Sequence, residues 1–470
     1  MTEAKIEFGT SGWRGIISDD FTYDGVRRVT QAIAQHLKEK ECALVKNGVI
    51  VGYDTRFLSE NFAAAAAGVL SANGIKTFLT KRDTPTPVLS SEIIKKKLAG
   101  GINITASHNP PEYNGLKFSP SSGGPALPET TRIIEKYANN PRLAVPLENN
   151  KNIYGLEPSK EYLKLIRNIV DFKLIKKAGL KAGVDLLFGT GRDYLDLLLL
   201  ESCRKVKVLH NYRDAYFGGG APEPSRERLG NLKAVIKEDK LDLGLATDGD
   251  ADRYGIIDRD GTFITPNEIL PLLMVYLKKS RGWTGCVVRT VATTHLVDAL
   301  AKKYGITVRE TPVGFKYIGE IMMKEPMIIG GEESGGLTIF KHIPEKDGIL
   351  ACLLVLEMVA AEKSSIKEIL HRSYAEVGYF ATGKGNVSLA GAKKEKLFEG
   401  LKKKPPLKFG NYAVEKLITL DGFKFLLGGK NWLMIRLSGT EPLVRLYAEA
   451  DSDKHLNEIL NLGKKYILSF

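Results

Sequence analysis

The sequence predicts an α/β protein with three consecutive α/β domains and a C-terminal α+β domain. Two observations support this prediction. Short apolar segments of strand length alternate with helical segments up to about residue 367, which is typical of parallel sheets with crossover helices. After that point strand segments follow one another, separated by glycine turns. A length of 470 residues is also sufficient for several domains of ordinary size.

The first predicted domain spans residues 1–150. Val26, Val29 and Ile33 recur at helical spacing and predict a helix that ends near residue 40. The segments after it are predicted as a buried strand (49–53), an alanine-rich helix (60–72), a strand (76–79), a helix (92–98) and a strand (101–106).

The second and third predicted domains repeat the alternation over residues 151–255 and 256–367. Predicted strands are 184–188, 206–210, 243–246, 286–291, 308–310 and 327–329, and predicted helices are 194–203, 232–237, 269–277, 296–304 and 349–361. The fourth predicted domain, 368–470, has strands at 414–419, 423–427, 432–437 and 444–448 and a final helix at about 455–468.

Charge, cysteine spacing and the distribution of apolar residues indicate which kinds of partner and which cellular compartment to expect. The net charge of +13 is a mild excess that favours anionic partners without singling out nucleic acid. The lysine runs 95–97 and 402–404 are typical of solvated faces, with a nucleic-acid contact as the alternative. The four cysteines have neither zinc nor disulfide spacing. No apolar signal segment begins the chain and no apolar run is long enough for a membrane span. We therefore expect a cytoplasmic protein without membrane or nucleic-acid partners.

A serine follows the predicted strand 101–106, at the end of a parallel strand where α/β folds place their ligands. Pro110 and Pro111 prevent an immediate helix, so we expect the Ser107 hydroxyl to be displayed rather than packed. It could accept a phosphoryl group, with His108 or Lys117 supplying positive charge. An ordinary loop serine is the alternative.

Three carboxylates at alternate positions follow the predicted strand 243–246. Asp248, Asp250 and Asp252 can converge on one hard cation, and oxygen ligands suit Mg²⁺. An EF-hand is excluded because Arg253 and Arg259 stand where that loop needs Gly and Glu. A plain acidic turn is the alternative, and the nearby segment 258–261 is interpreted as a hairpin turn.

Three further segments carry polar groups suited to a phosphorylated sugar. The glycine-rich segment 330–336 contains carboxylates and a hydroxyl that could accept hydrogen bonds from sugar hydroxyls. Lys346, beyond it, could transfer a proton if a desolvated, cationic site lowered its pKa. The turn 436–442 and Arg445 combine guanidinium groups with exposed backbone, which suits a phosphate dianion. Arg14, in the glycine-rich segment 8–15, is a second candidate anion contact.

Taken in order, these segments resemble the α-D-phosphohexomutase family from Phe8 to Tyr447. Segment 105–110 is similar to the family's phosphoserine loop, 248–253 to its metal loop, 331–336 to its sugar-recognition loop and 436–442 to its phosphate loop. Further similar segments are 8–15, 52–56, 114–117, 293–295 and 310–316. The resemblance implies three α/β domains of related topology with mainly parallel mixed sheets, a fourth α+β domain, and an active site in the central cleft.

The resemblance also implies roles for individual residues. Ser107 would be phosphorylated in the resting enzyme and would bind Mg²⁺ together with Asp248, Asp250 and Asp252. Arg14 and Lys117 would stabilise the transferring group. The residues implied in substrate binding are Glu332 and Ser334 at the sugar hydroxyls, Arg436, Ser438, Gly439 and Thr440 at the phosphate that does not react, and Arg253, Thr311, Gly314 and Arg445 around them.

Two positions depart from the pattern of some relatives. Enzymes that carry Met between the Glu and Ser of the sugar loop also have a proton-transferring His two residues after the Ser, and Gly336 occupies that position here. In phosphoglucomutases a Lys in the segment matching 342–348 does this work, which points to Lys346. Leu437 replaces the family's usual Pro and should alter the stiffness of the turn.

The expected function is interconversion of glucose 1-phosphate and glucose 6-phosphate, with glucose 1,6-bisphosphate as intermediate and activator. Mannose and glucosamine phosphates remain alternative substrates. A metal-dependent sugar phosphatase and a sugar-phosphate-binding protein without catalysis are the alternatives from other classes. Hydrolysis alone would not need the 436–442 loop, and binding alone would tolerate loss of Ser107. The sequence has no signal for oligomeric state.

Overall fold

The structure of the protein, a computed structural model, describes residues 5–389, 391–437 and 443–470. It divides into two compact units. The first comprises the chain up to Pro266 together with Phe315–Pro326 and Ser334–Ile366, and the second comprises Asn267–Gly314, Met327–Glu333 and Lys367–Phe470.

The N-terminal part of the first unit is built on a seven-stranded mixed sheet. Its elements are β1 (Phe8–Gly9), β2 (Gly12–Ile16), α1 (Tyr23–Lys40), α2 (Cys42–Val45), β3 (Val49–Tyr53), α3 (Ser59–Ala72), β4 (Thr77–Thr80), α4 (Thr86–Lys96), β5 (Gly100–Ile104), β6 (Tyr113–Pro120), α5 (Pro128–Ala138) and β7 (Ile153–Leu156). The strand order is β1-β2-β6-β5-β3-β4-β7. The four strands β5, β3, β4 and β7 are parallel, and β6 runs antiparallel to β5.

The next part of the first unit repeats the pattern around a five-stranded sheet. Its elements are α6 (Ser159–Ile169), α7 (Phe172–Ala178), β8 (Lys181–Asp185), α8 (Leu195–Ser202), β9 (Lys205–Leu209), α9 (Gly230–Glu238), β10 (Leu243–Thr247), β11 (Tyr254–Asp258) and β12 (Phe263–Ile264). The order is β12-β11-β10-β8-β9, with β10, β8 and β9 parallel. Because the antiparallel strand β11 follows β10 directly, the connecting loop lies at the carboxyl end of a parallel strand.

The third α/β segment contributes elements to both units. It contains α10 (Pro266–Arg281), β13 (Cys286–Thr290), α11 (Leu296–Lys303), β14 (Thr307–Thr311), α12 (Phe315–Lys324), β15 (Met327–Gly331), β16 (Leu337–Ile339) and α13 (Gly348–Glu362). In the second unit β13 pairs in parallel with both β14 and β15. The apolar helix α13 belongs to the first unit and is buried along nearly its whole length.

The C-terminal segment is antiparallel. Its elements are α14 (Ile366–Val377), β17 (Ala381–Ser388), α15 (Gly391–Lys403), β18 (Lys408–Phe409), β19 (Tyr412–Ala413), β20 (Lys416–Ile418), β21 (Phe423–Leu426), β22 (Trp432–Leu437), β23 (Leu443–Ala450) and α16 (Asp453–Leu468). The sheet order is β17-β23-β22-β21-β20. Leu433, Val444 and Ile459 form part of the core between this sheet and its helices.

The predicted fold class is confirmed: three segments have α/β character with mainly parallel mixed sheets, and the C-terminal segment is α+β. The hairpin turn at 258–261 is also confirmed, since it joins β11 to β12 and the Gly261 N–H donates to the Asp258 carbonyl at 2.8 Å. Among the residues that the structure describes, no helix has both the length and the apolar character to cross a bilayer.

Three predicted elements differ from the structure. Helix α4 begins at Thr86, earlier than predicted, because Pro87 suits a first helical turn. Strand β8 covers 181–185 rather than 184–188, since Leu187 and Phe188 have the left-handed φ values of 44° and 60°. The predicted strand 414–419 is shorter in the structure, where β20 covers only 416–418 and β19 ends before it at Ala413.

Candidate active site

Three buried aspartates occupy the loop between β10 and β11. Asp248, Asp250 and Asp252 are each at most 1% exposed, and one carboxylate oxygen from each lies within 4.8 Å of the others. From β6, Lys117 Nζ donates to Asp250 Oδ2 at 2.5 Å and to Asp252 Oδ2 at 2.9 Å. Lys346 Nζ lies 3.1 Å from Asp252 Oδ2. Residues distant in the chain therefore meet at one anionic cluster.

The three carboxylates have different protonation equilibria. Burial, with repulsion from Asp250 and Asp252, raises the pKa of Asp248 well above its usual value. Burial also opposes ionisation of Asp250 and Asp252. The charge and hydrogen bonds of Lys117, together with Thr86 at Asp250 and with Lys346 and Arg253 at Asp252, outweigh burial, and both pKa values are lowered. Asp250 and Asp252 are therefore ionised beside neighbouring cations, whereas Asp248 favours its neutral form.

The donor set fits a divalent metal ion. Asp250 Oδ1 and Asp252 Oδ1 are buried, and neither has a hydrogen-bond partner among the described residues. Buried carboxylate oxygens without partners are costly, and a hard cation would satisfy them and also favour the ionised form of Asp248. Oxygen-only ligation of this kind suits Mg²⁺.

Ser107 faces this cluster, but it is not displayed as the sequence predicts. It is 1% exposed and its Oγ donates to Asp248 Oδ2 at 2.7 Å. The expectation of an exposed hydroxyl is wrong because the metal loop packs against the serine loop. Gly249 permits that approach, since a Cβ there would lie 2.6 Å from the Ser107 carbonyl oxygen.

The cationic side chains around Ser107 differ in charge state. His108 Nδ1 lies 3.4 Å from Ser107 Oγ, and burial with the charges of Arg253 and Arg14 holds the pKa of His108 well below its usual value. The imidazole therefore favours its neutral form, and of the two groups expected to supply positive charge, His108 and Lys117, Lys117 is the charged one. Arg14 Nη1 donates to Asn109 Oδ1 at 2.6 Å. Burial and Arg253 lower the pKa of Arg14 to about 10, so Arg14 stays charged at neutral pH.

Lys346 lies in the loop before α13, and its contacts are anionic rather than cationic. Its Nζ is 3.0 Å from Glu345 Oε1 as well as 3.1 Å from Asp252. Its closest charged contacts are therefore carboxylates rather than the cations expected from the sequence, and Lys117 is a cation that also interacts with it. The side chain also packs over Gly336, where an added Cβ would lie 2.7 Å from Lys346 Cγ and closer still to Cδ.

The implied sugar-binding residues fall in different units. In the second unit, Glu332 Oε1 accepts from the Gly314 backbone N–H at 2.9 Å, and Glu332 is only 7% exposed. Thr311, at the end of β14, donates to the Pro312 carbonyl at 3.0 Å. Ser334 belongs to the first unit, as does Arg253, whose backbone N–H donates to Asp248 Oδ1 at 3.0 Å.

The implied phosphate-binding arginines lie on neighbouring strands of the C-terminal sheet. Arg436 on β22 and Arg445 on β23 are directly opposite each other in the strand register. Arg436 Nε donates to Asp421 Oδ2 at 3.0 Å. Ser438, Gly439 and Thr440 lie outside the residues that the structure describes.

Three residues that the sequence patterns do not identify contact candidate site residues. Thr86 Oγ1 donates to Asp250 Oδ2 at 2.5 Å, and its only sequence signal is the helix start marked by Pro87. Glu345 contacts Lys346, and Asp421 contacts Arg436. The segment 421–422 has the pattern of a turn, and that pattern predicts no contact for the Asp421 carboxylate.

Comparisons with known proteins agree with this geometry. The chain matches family models described as phosphoglucomutase/phosphomannomutase alpha/beta/alpha domain I (residues 5–144), domain II (160–261), domain III (265–377) and C-terminal domain (386–461).

Relatives match over nearly the whole chain. The phosphoglucomutase/phosphomannomutase of Thermococcus kodakarensis is 31% identical, with 98% of each chain covered. A protein of Thermococcus gammatolerans assigned as a phosphoglucosamine mutase is also 31% identical, again with 98% of each covered. A crystal structure from Thermus thermophilus, assigned as a phosphomannomutase, has a TM-score of 0.87 at 34% identity and covers 99% of this chain and 100% of its own. The chain therefore belongs to the phosphoglucomutase/phosphomannomutase family of α-D-phosphohexomutases, and it is a mutase.

Proposed function

We propose that the protein interconverts glucose 1-phosphate and glucose 6-phosphate through phosphorylated Ser107 and glucose 1,6-bisphosphate. The observation that carries the choice of sugar is the packing of Lys346 over Gly336. The Lys346 side chain fills the space into which a side chain at position 336 would project. A proton-transferring histidine at 336 and the observed position of Lys346 exclude each other. This arrangement favours the phosphoglucomutase pattern, in which a lysine does that work.

Ser107, Asp248, Asp250 and Asp252 would hold Mg²⁺ in this enzyme. When bound, the ion supplies positive charge beside the phosphoryl group on Ser107. Lys117 contacts two of these carboxylates and keeps them ionised in the buried loop. Phosphoryl transfer requires mainly such positioning and charge stabilisation, because the protein itself does little covalent chemistry.

In the first half-reaction the bond between phosphorus and Ser107 Oγ breaks as a bond forms between phosphorus and the 6-oxygen of glucose 1-phosphate. The hydroxyl proton of the sugar passes to Lys346 in its neutral amine form, and Ser107 Oγ leaves as the alkoxide, which then regains a proton from the Lys346 ammonium. Asp252 and Glu345 hold the Lys346 side chain beside the residues that would bind the metal ion. Arg14 stabilises the charge of the transferring group.

In the second half-reaction the bisphosphate turns over and returns its 1-phosphate to Ser107. The phosphate that does not react would be held by Arg436, Arg445, Ser438, Gly439 and Thr440. The residues that would bind the sugar in both orientations are Glu332, Ser334, Thr311, Gly314 and Arg253.

We also propose domain boundaries at 1–150, 151–255, 256–367 and 368–470, which the ranges of the four family models support.

The test is a coupled assay with Mg²⁺ and a trace of glucose 1,6-bisphosphate. Glucose 1-phosphate, mannose 1-phosphate and glucosamine 1-phosphate are compared for wild type and Ser107→Ala. We expect the highest kcat/KM with glucose 1-phosphate and loss of turnover in the variant. A higher kcat/KM with either other sugar would reassign the substrate. Release of inorganic phosphate without isomerisation would instead indicate a phosphatase.

A further inference from the structure

Arg56 is a fully buried arginine that follows β3 in the first unit. Its exposed fraction is 0%, and its guanidinium lies 5.0 Å from the centre of the Phe217 ring. Nε donates to Asp54 Oδ2 at 3.1 Å. The four remaining N–H donors reach carbonyl oxygens at 2.6–2.9 Å, those of Ser107, Asn109, Pro110 and Tyr113. Every donor of the guanidinium group is therefore used.

Three of these carbonyl groups belong to the loop that carries Ser107, and the fourth, that of Tyr113, is on the first residue of β6 directly after it. Carbonyl groups removed from water need hydrogen-bond partners, and Arg56 supplies a donor to each of these four. A planar guanidinium can donate to several carbonyl groups in fixed directions, whereas a lysine ammonium has only three donors. The loop conformation thus depends on an arginine at this position.

The backbone of Ser107 itself is held in an unfavourable conformation. Its φ of 52° is left-handed, which is costly for a residue other than glycine. Arg56 Nη2 holds the Ser107 carbonyl at 2.7 Å, and Thr105 Oγ1 accepts from the Ser107 N–H at 2.9 Å. Thr105 Oγ1 in turn donates to Asp54 Oδ2 at 2.6 Å. Asp54 thus accepts hydrogen bonds from both Arg56, which holds the Ser107 carbonyl, and Thr105, which holds the Ser107 N–H.

We propose that Arg56 is a positioning residue for phosphoryl transfer. It holds Ser107 in the left-handed conformation that directs Oγ to within 2.7 Å of Asp248. Arg56 acts through the backbone of the loop, since all its donors are engaged by Asp54 and the four carbonyls, and none remains for a phosphate. This inference rests on the proposed function in one respect, the role of Ser107 as the phosphoryl carrier.

The main test compares Arg56→Lys with wild type, and Arg28→Lys is the matched control. Arg28 also donates from Nε and Nη2 to a carbonyl oxygen, that of Ala138, but it lies on α1 and contacts no proposed site residue in those bonds. We measure kcat and KM for glucose 1-phosphate, and the rate at which glucose 1,6-bisphosphate phosphorylates Ser107, by intact mass. For Arg56→Lys we expect kcat and the phosphorylation rate to fall about 100-fold, because small misplacements of reacting atoms have effects of this size. KM should change less than about threefold, and Arg28→Lys should resemble wild type.

A second variant and a structure keep the inference testable if Arg56→Lys does not fold. Thr105→Val preserves side-chain shape but removes the acceptor for the Ser107 N–H, and we expect its kcat to fall about tenfold with KM retained. Wild-type kcat in folded Arg56→Lys, or in Thr105→Val when Arg56→Lys does not fold, would overturn the proposal. A crystal structure of Arg56→Lys with Ser107 Oγ still hydrogen-bonded to Asp248 would overturn it independently of activity. A wild-type protein without Ser107 phosphorylation would instead refute the proposed function, and the crystal structure would still decide the role of Arg56.

Discussion

Lys346 is the residue whose chemistry depends most on its tertiary surroundings. It is 5% exposed, contacts the carboxylates of Asp252 and Glu345, and fills the space above Gly336. A group that transfers a proton must lie within hydrogen-bond reach of the reacting atoms and be able to exchange its proton. Lys346 lies beside a proposed metal ligand and has a neighbouring carboxylate with which to share a proton.

We predict that Lys346→Met lowers kcat by about 100- to 10,000-fold, the usual range for loss of a general acid or base. Affinity for Mg²⁺ should change much less, because the three aspartates remain. Steady-state kinetics and calorimetric Mg²⁺ titration measure the two effects. Lys341→Met is the control, since Lys341 lies in the same loop but is exposed. Comparable losses of activity and of Mg²⁺ affinity would mean that Lys346 only supports the metal site.

Asp421 connects two elements of the second unit. It lies in the turn between β20 and β21, and its Oδ2 accepts from Arg436 Nε on β22 and from the Val313 N–H, each at 3.0 Å. The backbone N–H of Gly314, the residue after Val313, donates a hydrogen bond to Glu332 Oε1. The proposed phosphate and sugar contacts are therefore joined through one carboxylate.

We predict that Asp421→Asn raises KM for glucose 1-phosphate about tenfold with a smaller change in kcat. The asparagine side chain lacks the negative charge that orients Arg436, but its amide oxygen can still accept the hydrogen bond from the Val313 N–H. Arg436→Ala should raise KM further. Asp451→Asn serves as a control, because that exposed aspartate contacts Ser452 and His455 instead. Steady-state kinetics for the three variants tests the assignment, and an unchanged KM for Arg436→Ala would contradict the phosphate-binding role.

At the scale of the whole molecule, metal binding should stabilise the fold. Saturation at 100 times the dissociation constant contributes about 2.7 kcal/mol, which raises Tm by a few degrees in a chain of this size. We predict such a rise on adding Mg²⁺ to wild type, and little or none for Asp248→Asn. The raised pKa of Asp248 favours its neutral form without metal, so the variant should fold normally. Differential scanning calorimetry with and without EDTA measures the shift.

The control for the metal experiment is Asp260→Asn. Asp260 is an exposed aspartate in the nearby hairpin turn, and it accepts from the Thr262 N–H. Its replacement should leave the Mg²⁺ response unchanged. An equal Mg²⁺ response in wild type and Asp248→Asn would show that the three aspartates do not form the binding site.

A buried lysine in the second unit should make stability depend on pH. Lys424 is 0% exposed, and its Nζ donates to the Val291 carbonyl at 2.7 Å and lies 2.9 Å from His295 Nε2. Burial and the charge of Arg289 lower its pKa to about 7. Between pH 7 and the unfolded value near 10.5, the unfolded chain binds a proton that the folded chain has lost, so stability rises with pH.

We predict that Lys424→Met removes this contribution. The difference in unfolding free energy, wild type minus variant, should increase by up to about 1.4 kcal/mol per pH unit from pH 7 to pH 10. Urea unfolding followed by circular dichroism at several pH values measures it. Parallel pH profiles for the two proteins would show that Lys424 keeps its proton in the folded state.

The sequence by itself determined the fold class, the order of the four loops and the chemistry that each carries. These features are local: alternating apolar segments predict strands and helices, and carboxylates at alternate positions predict a metal site. The sequence also pointed to Lys346 through the resemblance to the family. Gly336 stands where some relatives have a proton-transferring histidine, so another residue must transfer the proton. Most of the predicted helices and strands differ from the structure only at their ends.

Only the tertiary structure decided the burial of Ser107, the neutral state of His108, the anionic contacts of Lys346 and the links made by Arg56 and Asp421. Each depends on groups far apart in the chain, such as Ser107 and Asp248, whose loops follow parallel strands of two different sheets and are in contact. Burial and charge are set by these distant neighbours, and protonation follows from both. A pattern within a loop can identify the side chains but not the surroundings that fix their charge and direction.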